Sequence, residues 1–232
     1  MADSRRMRLD RMVPVVCAVL LAGCGSTVPG RPVASAPIAV TRHVGAELPT
    51  LLPDPNQFPP PYTAVVLPQE AVAQAAGDLD GMGRGANVQP GRCVPPSQDF
   101  GPDRTAMVVG TDDATRATLT VELTRTGEPL AAVRARLEQC GSVRVNRAGA
   151  ATTVTSEPAS PPPVAADDTL SLRRTVRPES GGARLTQSMR THVAQLGDVR
   201  ISVTYMSFAE SEPDTAALDE LFAVAVRKVR EG

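Results

Sequence analysis

The stretch Thr191-His192-Val193-Ala194-Gln195-Leu196-Gly197-Asp198-Val199-Arg200-Ile201-Ser202-Val203-Thr204-Tyr205 reads as a β-hairpin. Two runs rich in β-branched residues flank Gly197-Asp198, a favoured two-residue connection because glycine accepts the positive φ of a tight hairpin turn. With a loop of that length, facing residues have numbers that sum to 395. Leu196 then faces Val199, Ala194 faces Ile201, His192 faces Val203 and Arg190 faces Tyr205. Arg190, His192 and Tyr205 thus share a face with the apolar set and form its one polar constellation. They are the candidate residues of a ligand cleft; the competing reading is a histidine satisfied by backbone groups. The other face carries Met189, Val193, Met206 and Phe208 among polar residues, so it too is expected to be partly covered.

Downstream of the hairpin, Glu212-Pro213-Asp214 opens a helix over about 214–230. Leu218, Leu221, Phe222, Ala225, Val226 and Val229 mark one stripe at helical spacing. Acidic residues come early and Arg227, Lys228 and Arg230 late, matching the helix dipole. Such a stripe is the covering layer of a sheet.

Upstream, more strands alternate with two further helices. A helix is expected from Pro68 to Asp78 or Leu79, ended by Gly77, Gly81, Gly83 and Gly85. Those glycines make no dinucleotide fingerprint, since no strand precedes and no helix follows them. Strands are expected over Thr105–Val109 and Ala117–Arg125. In the second, Ala117, Leu119, Val121 and Leu123 alternate with threonines and Glu122, the pattern of a half-buried antiparallel strand. Gly127-Glu128-Pro129 starts a helix over about 129–140, with Leu130, Val133, Leu137 and Cys140 on one face. Strands follow at Ser142–Asn146, Ala151–Thr155 and Thr169–Arg177, with Arg174 intruding on the apolar side of the last. Glu157-Pro158-Ala159-Ser160 and the prolines after it read as an exposed loop. The proline-rich run 48–68 reads as a segment packed across the domain surface.

The chain opens with Arg5, Arg6, Arg8 and Arg11, then an apolar run from Val13 to Leu21, then Leu21-Ala22-Gly23-Cys24. This is a secretory leader. The apolar run is about half the roughly 20 residues that span a bilayer. Leu21-Ala22-Gly23-Cys24 resembles the bacterial lipobox, which implies cleavage after Gly23 and diacylation of Cys24. Residues 1–23 are then leader, 24–47 the lipidated start and a Pro/Ala/Ser-rich tether, and 48–232 a single domain. Two or more acyl chains hold a protein durably on a membrane surface, which puts the domain on the outer face of the cell membrane. His43, at the end of the tether, reads as solvated.

The net charge is −1, and the leader sets four arginines against Asp3 and Asp10, so the remainder is near −3. Such a surface offers no basic footprint for nucleic acid. With Cys17 removed and Cys24 acylated, Cys93 and Cys140 remain in an oxidising compartment, where a disulfide is the default over a free thiol or a metal pair. In the chain-entropy model that bridge contributes roughly 3–4 kcal/mol. No Gly-x-Ser-x-Gly, Ser-x-x-Lys, Walker or His-Glu-x-x-His motif is present, and His43 and His192 are the only histidines. The sequence therefore points to no cofactor, no metal and no catalytic residues. Asp112-Asp113 and Asp167-Asp168 read as turn formers.

The lipobox, the tether STVPGRPVA (26–34), the Leu51-Leu52-Pro53 start, VQPGRCVPP (88–96) and the late Cys140 resemble mycobacterial and related actinobacterial cell-envelope lipoproteins. The domain is similar to the extracellular sensor domain of PknH-type receptor kinases. That resemblance implies an antiparallel sheet with helices packed against a cleft and disulfides that stabilise it, although this chain offers one intramolecular pair where the kinase domain has more. The PsbP/Mog1-like lipoproteins are a second resemblance, also a sheet with flanking helices. Pattern and resemblance agree on α+β: an antiparallel sheet of about five to seven strands, two to three packed helices, a C-terminal amphipathic helix and one disulfide. The expected function is a non-enzymatic ligand-binding or sensing module, taking a lipid, a cell-wall fragment or a small ligand. An accessory lipoprotein that binds another envelope protein is the first alternative. A hydrolase with an unrecognised site is the second.

Overall fold

Gly197 and Asp198 form the turn of the hairpin, and the register is the expected one: Leu196 pairs with Val199, Ala194 with Ile201, His192 with Val203 and Arg190 with Tyr205. The computed structural model describes residues 40, 42–83, 85–180, 186–208 and 213–232. Cys24, with its expected lipid, lies outside the described residues, as does the leader.

In chain order the elements are α1 (Leu48–Leu51), β1 (Thr63–Val66), α2 (Gln69–Leu79), β2 (Asn87–Gln89), β3 (Thr105–Thr111), β4 (Thr118–Arg125), α3 (Leu130–Gln139), β5 (Ser142–Arg147), β6 (Ala150–Ala159), β7 (Asp168–Pro178), β8 (Gln187–Leu196), β9 (Val199–Ser207) and α4 (Thr215–Glu231). The nine strands make one antiparallel sheet in the order β1-β3-β4-β9-β8-β7-β6-β5-β2. The hairpin β8–β9 lies near its middle.

Among the described residues, nine strands correct the expected five to seven, and four α-helices the expected two to three. The added strands, β1 and β2, are the two edges. Each pairs on one side only, so neighbouring prolines remove no ladder hydrogen bond on the free side. The residues expected as a loop after Thr155 instead extend β6 to Ala159. Pro158 is tolerated there because β5 pairs only as far as Thr155, leaving this end of β6 bonded to β7 alone. The added helix, α1, is one turn with a proline in its first positions, where its missing N–H costs nothing.

One face of the sheet is covered by α4. All six stripe residues of that helix are buried, against Leu119, Val121, Leu123, Ile201 and Val203. Burying a side chain such as Phe222 contributes about 1.5–3 kcal/mol. Asp214 caps the helix, its side chain accepting from the Ala217 amide at 3.1 Å. The other face carries α2, α3 and the segment that holds Cys93. Cys93 and Cys140 are bonded, tying that segment to the end of α3.

Residues 42–47, read from the sequence as tether, are docked on the hairpin turn. The Val44 amide donates to Asp198 Oδ1 at 2.8 Å. Arg125 donates to the Val44 and Ala46 carbonyls at 2.9 and 2.6 Å and pairs with Asp198. His43, expected as solvated, places Nδ1 2.7 Å from Asp198 Oδ2 while most of its ring stays exposed. The chain passes so close that a Cβ on Gly197, whose φ is +53°, would lie 2.6 Å from the Arg42 carbonyl oxygen.

Candidate functional site

Alternation along β4 places Thr120, Glu122 and Thr124 on the face opposite α4. Pairing carries three rows across the sheet from these residues. The first runs Thr120, Thr204, Thr191 and Leu172. The second runs Glu122, Ser202, Val193 and Leu170, and the third Thr124, Arg200, Gln195 and Asp168. All three rows are polar at β4 and β9; the first two turn apolar at β7, while the third ends at Asp168, which is paired with Arg134. Apart from Thr120, Gln195 and Asp168, these residues line the floor of a groove of about 720 Å³.

Two walls rise from that floor. Leu130, on the first turn of α3, is buried against Leu170 and Val193, while Val133 is only partly covered and borders the groove. Opposite stand Ala76 and Leu79 of α2, continued by Met82, Gly83, Pro95, Pro96 and Phe100. Arg174, the intruder on the apolar side of β7, reaches under this wall. Its Nη1 donates to the Leu79 carbonyl at 2.9 Å and its Nε to Ser156 Oγ at 3.1 Å, so it anchors the end of α2. The disulfide holds the lower end of the same wall to α3.

Glu122 is the charge at the centre. Its Oε1 accepts from Gln98 Nε2 at 2.7 Å, and Gln98 also reaches Thr105 and Thr124. Burial lifts the Glu122 carboxyl above the ordinary carboxylate value, and nearby Asp80 adds to the rise, against the Gln98 hydrogen bond and Arg200. Asp80 is raised by burial as well, although the Met82 and Gly83 amides donate to it. The cations around the groove are engaged elsewhere. Arg200 donates to Gln195, to Glu128 Oε2 at 3.2 Å and to the Glu128 carbonyl. Arg136 also binds Glu128, at 2.8 and 3.1 Å, and its donated hydrogen bond holds that carboxyl below its usual range. The groove therefore presents two acidic side chains, Glu122 and Asp80, at its polar end, with no arginine among the described residues hydrogen-bonded to either, and an apolar strip at the other.

Arg190, His192 and Tyr205 lie on the opposite face, under α4, and do not line this groove. His192 is 1% exposed and Tyr205 is 4% exposed. His192 Nδ1 is 2.8 Å from Ser171 Oγ, its Nε2 is 2.8 Å from Asp219 Oδ1, and its ring centroid is 5.3 Å from that of Phe222. A carboxylate only accepts, so Nε2 carries the proton and the serine hydroxyl donates to Nδ1. Side chains, not the backbone groups expected from sequence, satisfy the ring. Arg190 Nε is buried without a hydrogen-bond partner among the described residues.

Ser171, His192 and Asp219 are a serine, a histidine and an aspartate in hydrogen-bonded series, which the sequence did not suggest because three separate elements supply them. A nucleophile must face substrate, with the carboxylate behind the imidazole. Here the order is inverted: Ser171 is 0% exposed, and the Asp219 side chain is 51% exposed. The series joins β7, β8 and α4 through the interior. Among the described residues, no group of three or more His, Cys, Asp and Glu side chains is placed to hold a metal ion, and no helix is long and apolar enough to cross a membrane.

No protein-family model and no curated protein matches the chain. Among solved structures, the chain is similar to an uncharacterised protein of Mycobacterium smegmatis, the Rv0999 ortholog. That match has 18% identity and a TM-score of 0.47, and covers 75% of this chain and 92% of the other. It is also similar to the extracellular domain of PknH from Mycobacterium tuberculosis, with 11% identity and a TM-score of 0.44, over 72% of this chain and 99% of that domain. These neighbours match the sensor-domain similarity seen in the sequence. At such identities and TM-scores, neither protein's properties transfer to this chain.

Proposed function

We propose that the protein is an extracytoplasmic ligand-binding or sensing module, held at the membrane by a lipid on Cys24, and that its ligand lies in the groove over Glu122. The observation that carries this reading is the groove itself. At about 720 Å³ it falls within the size range of small-molecule sites, and it joins apolar walls to a few convergent polar groups. The Cys93–Cys140 disulfide supports an oxidising compartment, and the lipobox-like Leu21-Ala22-Gly23-Cys24 supports the anchor. A lipid or cell-wall fragment fits such a position.

Native mass spectrometry with lipid extraction, on protein purified from its own membrane, tests the proposal. A bound small molecule that is lost when Val133→Trp fills the groove is the expected result. Protein that carries no small molecule would count against it.

A second reading, an accessory lipoprotein that binds another envelope protein, draws on the edge strand β1. There Val65 and Val66 are 59% and 46% exposed beside an unpaired strand edge. Co-purification of an envelope protein, lost on Val65→Lys, would favour it. The hydrolase alternative gains no support from the Ser171 series, whose hydroxyl is enclosed.

A further inference from the structure

The groove's two ends differ in chemistry, and this difference specifies a ligand class. At the β4 end, the Glu122 carboxylate has one hydrogen-bond donor among the described residues, the exposed Gln98 side chain. Asp80, the other acid bordering the groove, adds negative potential there. The described arginines that border the groove hydrogen-bond to other acceptors: Arg125 to Asp198 and two carbonyls, Arg136 to Glu128, and Arg174 to Leu79 and Ser156. Arg200 is bound to Glu128 and Gln195, and Arg104 stands 3.5 Å from Asp99. Among the described residues, an anionic head group would find no guanidinium over the floor without an acceptor, and it would face Glu122. A cation with N–H donors would meet a carboxylate that accepts no hydrogen bond from a charged group among the described residues, Arg200 acting on it only electrostatically.

At the β7 end the floor is Leu170 and Leu172, flanked by Val133 of α3. Three strand spacings separate β4 from β7 through β9 and β8. At about 4.8 Å each, that is roughly 14 Å from head to tail. An extended chain covers this distance in about twelve bonds.

We propose that the groove selects amphipathic molecules with a primary ammonium head, seated on Glu122, and an alkyl tail laid across the sheet onto Leu170 and Leu172. The inference rests on the groove being the ligand site, and the experiment separates the two. Dodecylammonium, dodecanol and dodecanoate share one tail and differ only in head charge. Each is titrated below its micelle concentration, or for dodecanol its solubility limit, into the full mature chain carrying Cys24→Ser, which keeps the protein out of detergent, and into the same chain with Glu122→Gln.

The expected result is that dodecylammonium binds at least tenfold more tightly than dodecanoate. Glu122→Gln should remove that preference and leave dodecanol affinity within about twofold. Equal or tighter binding of dodecanoate by the unsubstituted chain would overturn the ammonium assignment while leaving the groove a ligand site. So would a preference that survives Glu122→Gln. If none of the three binds, both the inference and the groove's role as a site for amphipathic ligands fall. The head-group series on the unsubstituted chain decides the matter even if the variant folds poorly.

Discussion

His192 Nε2 lies 2.8 Å from Asp219 Oδ1, so the centre of the sheet is hydrogen-bonded to the helix that covers it. Burial lowers the His192 pKa from its ordinary value, against the raising effect of Asp219 and with a small lowering by Arg190. The unfolded chain therefore binds a proton at a pH where the folded chain does not, and stability rises with pH across that window. The contribution is fully present above about pH 6.5 and is lost as pH falls from there through the lower folded value. Thermal unfolding followed between pH 7.5 and 5 should show this decline. His192→Gln should flatten it. Asp219→Asn removes the charge that holds the folded value up, so its decline should extend to lower pH. A parallel pH profile in all three proteins would remove His192 as the cause.

The Cys93–Cys140 bond closes a loop of 47 residues and joins the Cys93 segment to α3. Replacing both cysteines by serine should lower stability by roughly 3–4 kcal/mol in the chain-entropy model. The change is read as a lower urea midpoint, which reductant should reproduce in the unsubstituted protein. An unchanged midpoint would show that packing alone holds the segment.

Asp198 gathers the incoming chain onto the hairpin turn by accepting from Val44 and pairing with Arg125, whose side chain is 10% exposed. Asp198→Ala leaves that guanidinium without its carboxylate and should cost about 1–3 kcal/mol. The same change should free residues 42–47, so trypsin should cut after Arg42 several-fold faster than in the unsubstituted protein. Equal cutting rates would mean that the Arg125 bonds to the Val44 and Ala46 carbonyls suffice for docking.

Phe222 is fully buried between α4 and the sheet and meets the His192 ring at an interplanar angle of 51°. Phe222→Ala opens a cavity at the centre of the larger core and should cost about 3–5 kcal/mol, measured by chemical denaturation. A loss below about 1 kcal/mol would indicate that α4 collapses into the space.

The sequence made much of the frame legible because its signals are local. A two-residue turn admits one register, and a shift by one residue would put His192, Ala194 and Leu196 on the wrong face. The α4 stripe, the alternation of β4 and the pairing of the last two cysteines were legible on similar grounds. The edge strands were not. β1 and β2 are held by backbone bonds to β3 and β5, and their short, proline-flanked sequences carry no pattern of their own.

The candidate site was legible in its residues but not in its place. Arg190, His192 and Tyr205 stood out as polar groups on an apolar face, and the structure encloses His192 and Tyr205 under α4 while Arg190 stays half-buried. Glu122 looked like one more solvent-facing residue of an alternating strand. It becomes the centre of a groove because α2 and α3, with Met82, Gly83, Pro95, Pro96 and Phe100, rise around it.

By itself, then, the sequence determined the turn, the alternation, the helical stripes and the cysteine pair, since each is set by spacing along the chain. Tertiary structure alone decided which polar face is walled into a groove and which histidine is sealed in the core. Desolvation depends on what packs above a residue, and for Glu122 and His192 the covering elements come from elsewhere in the chain.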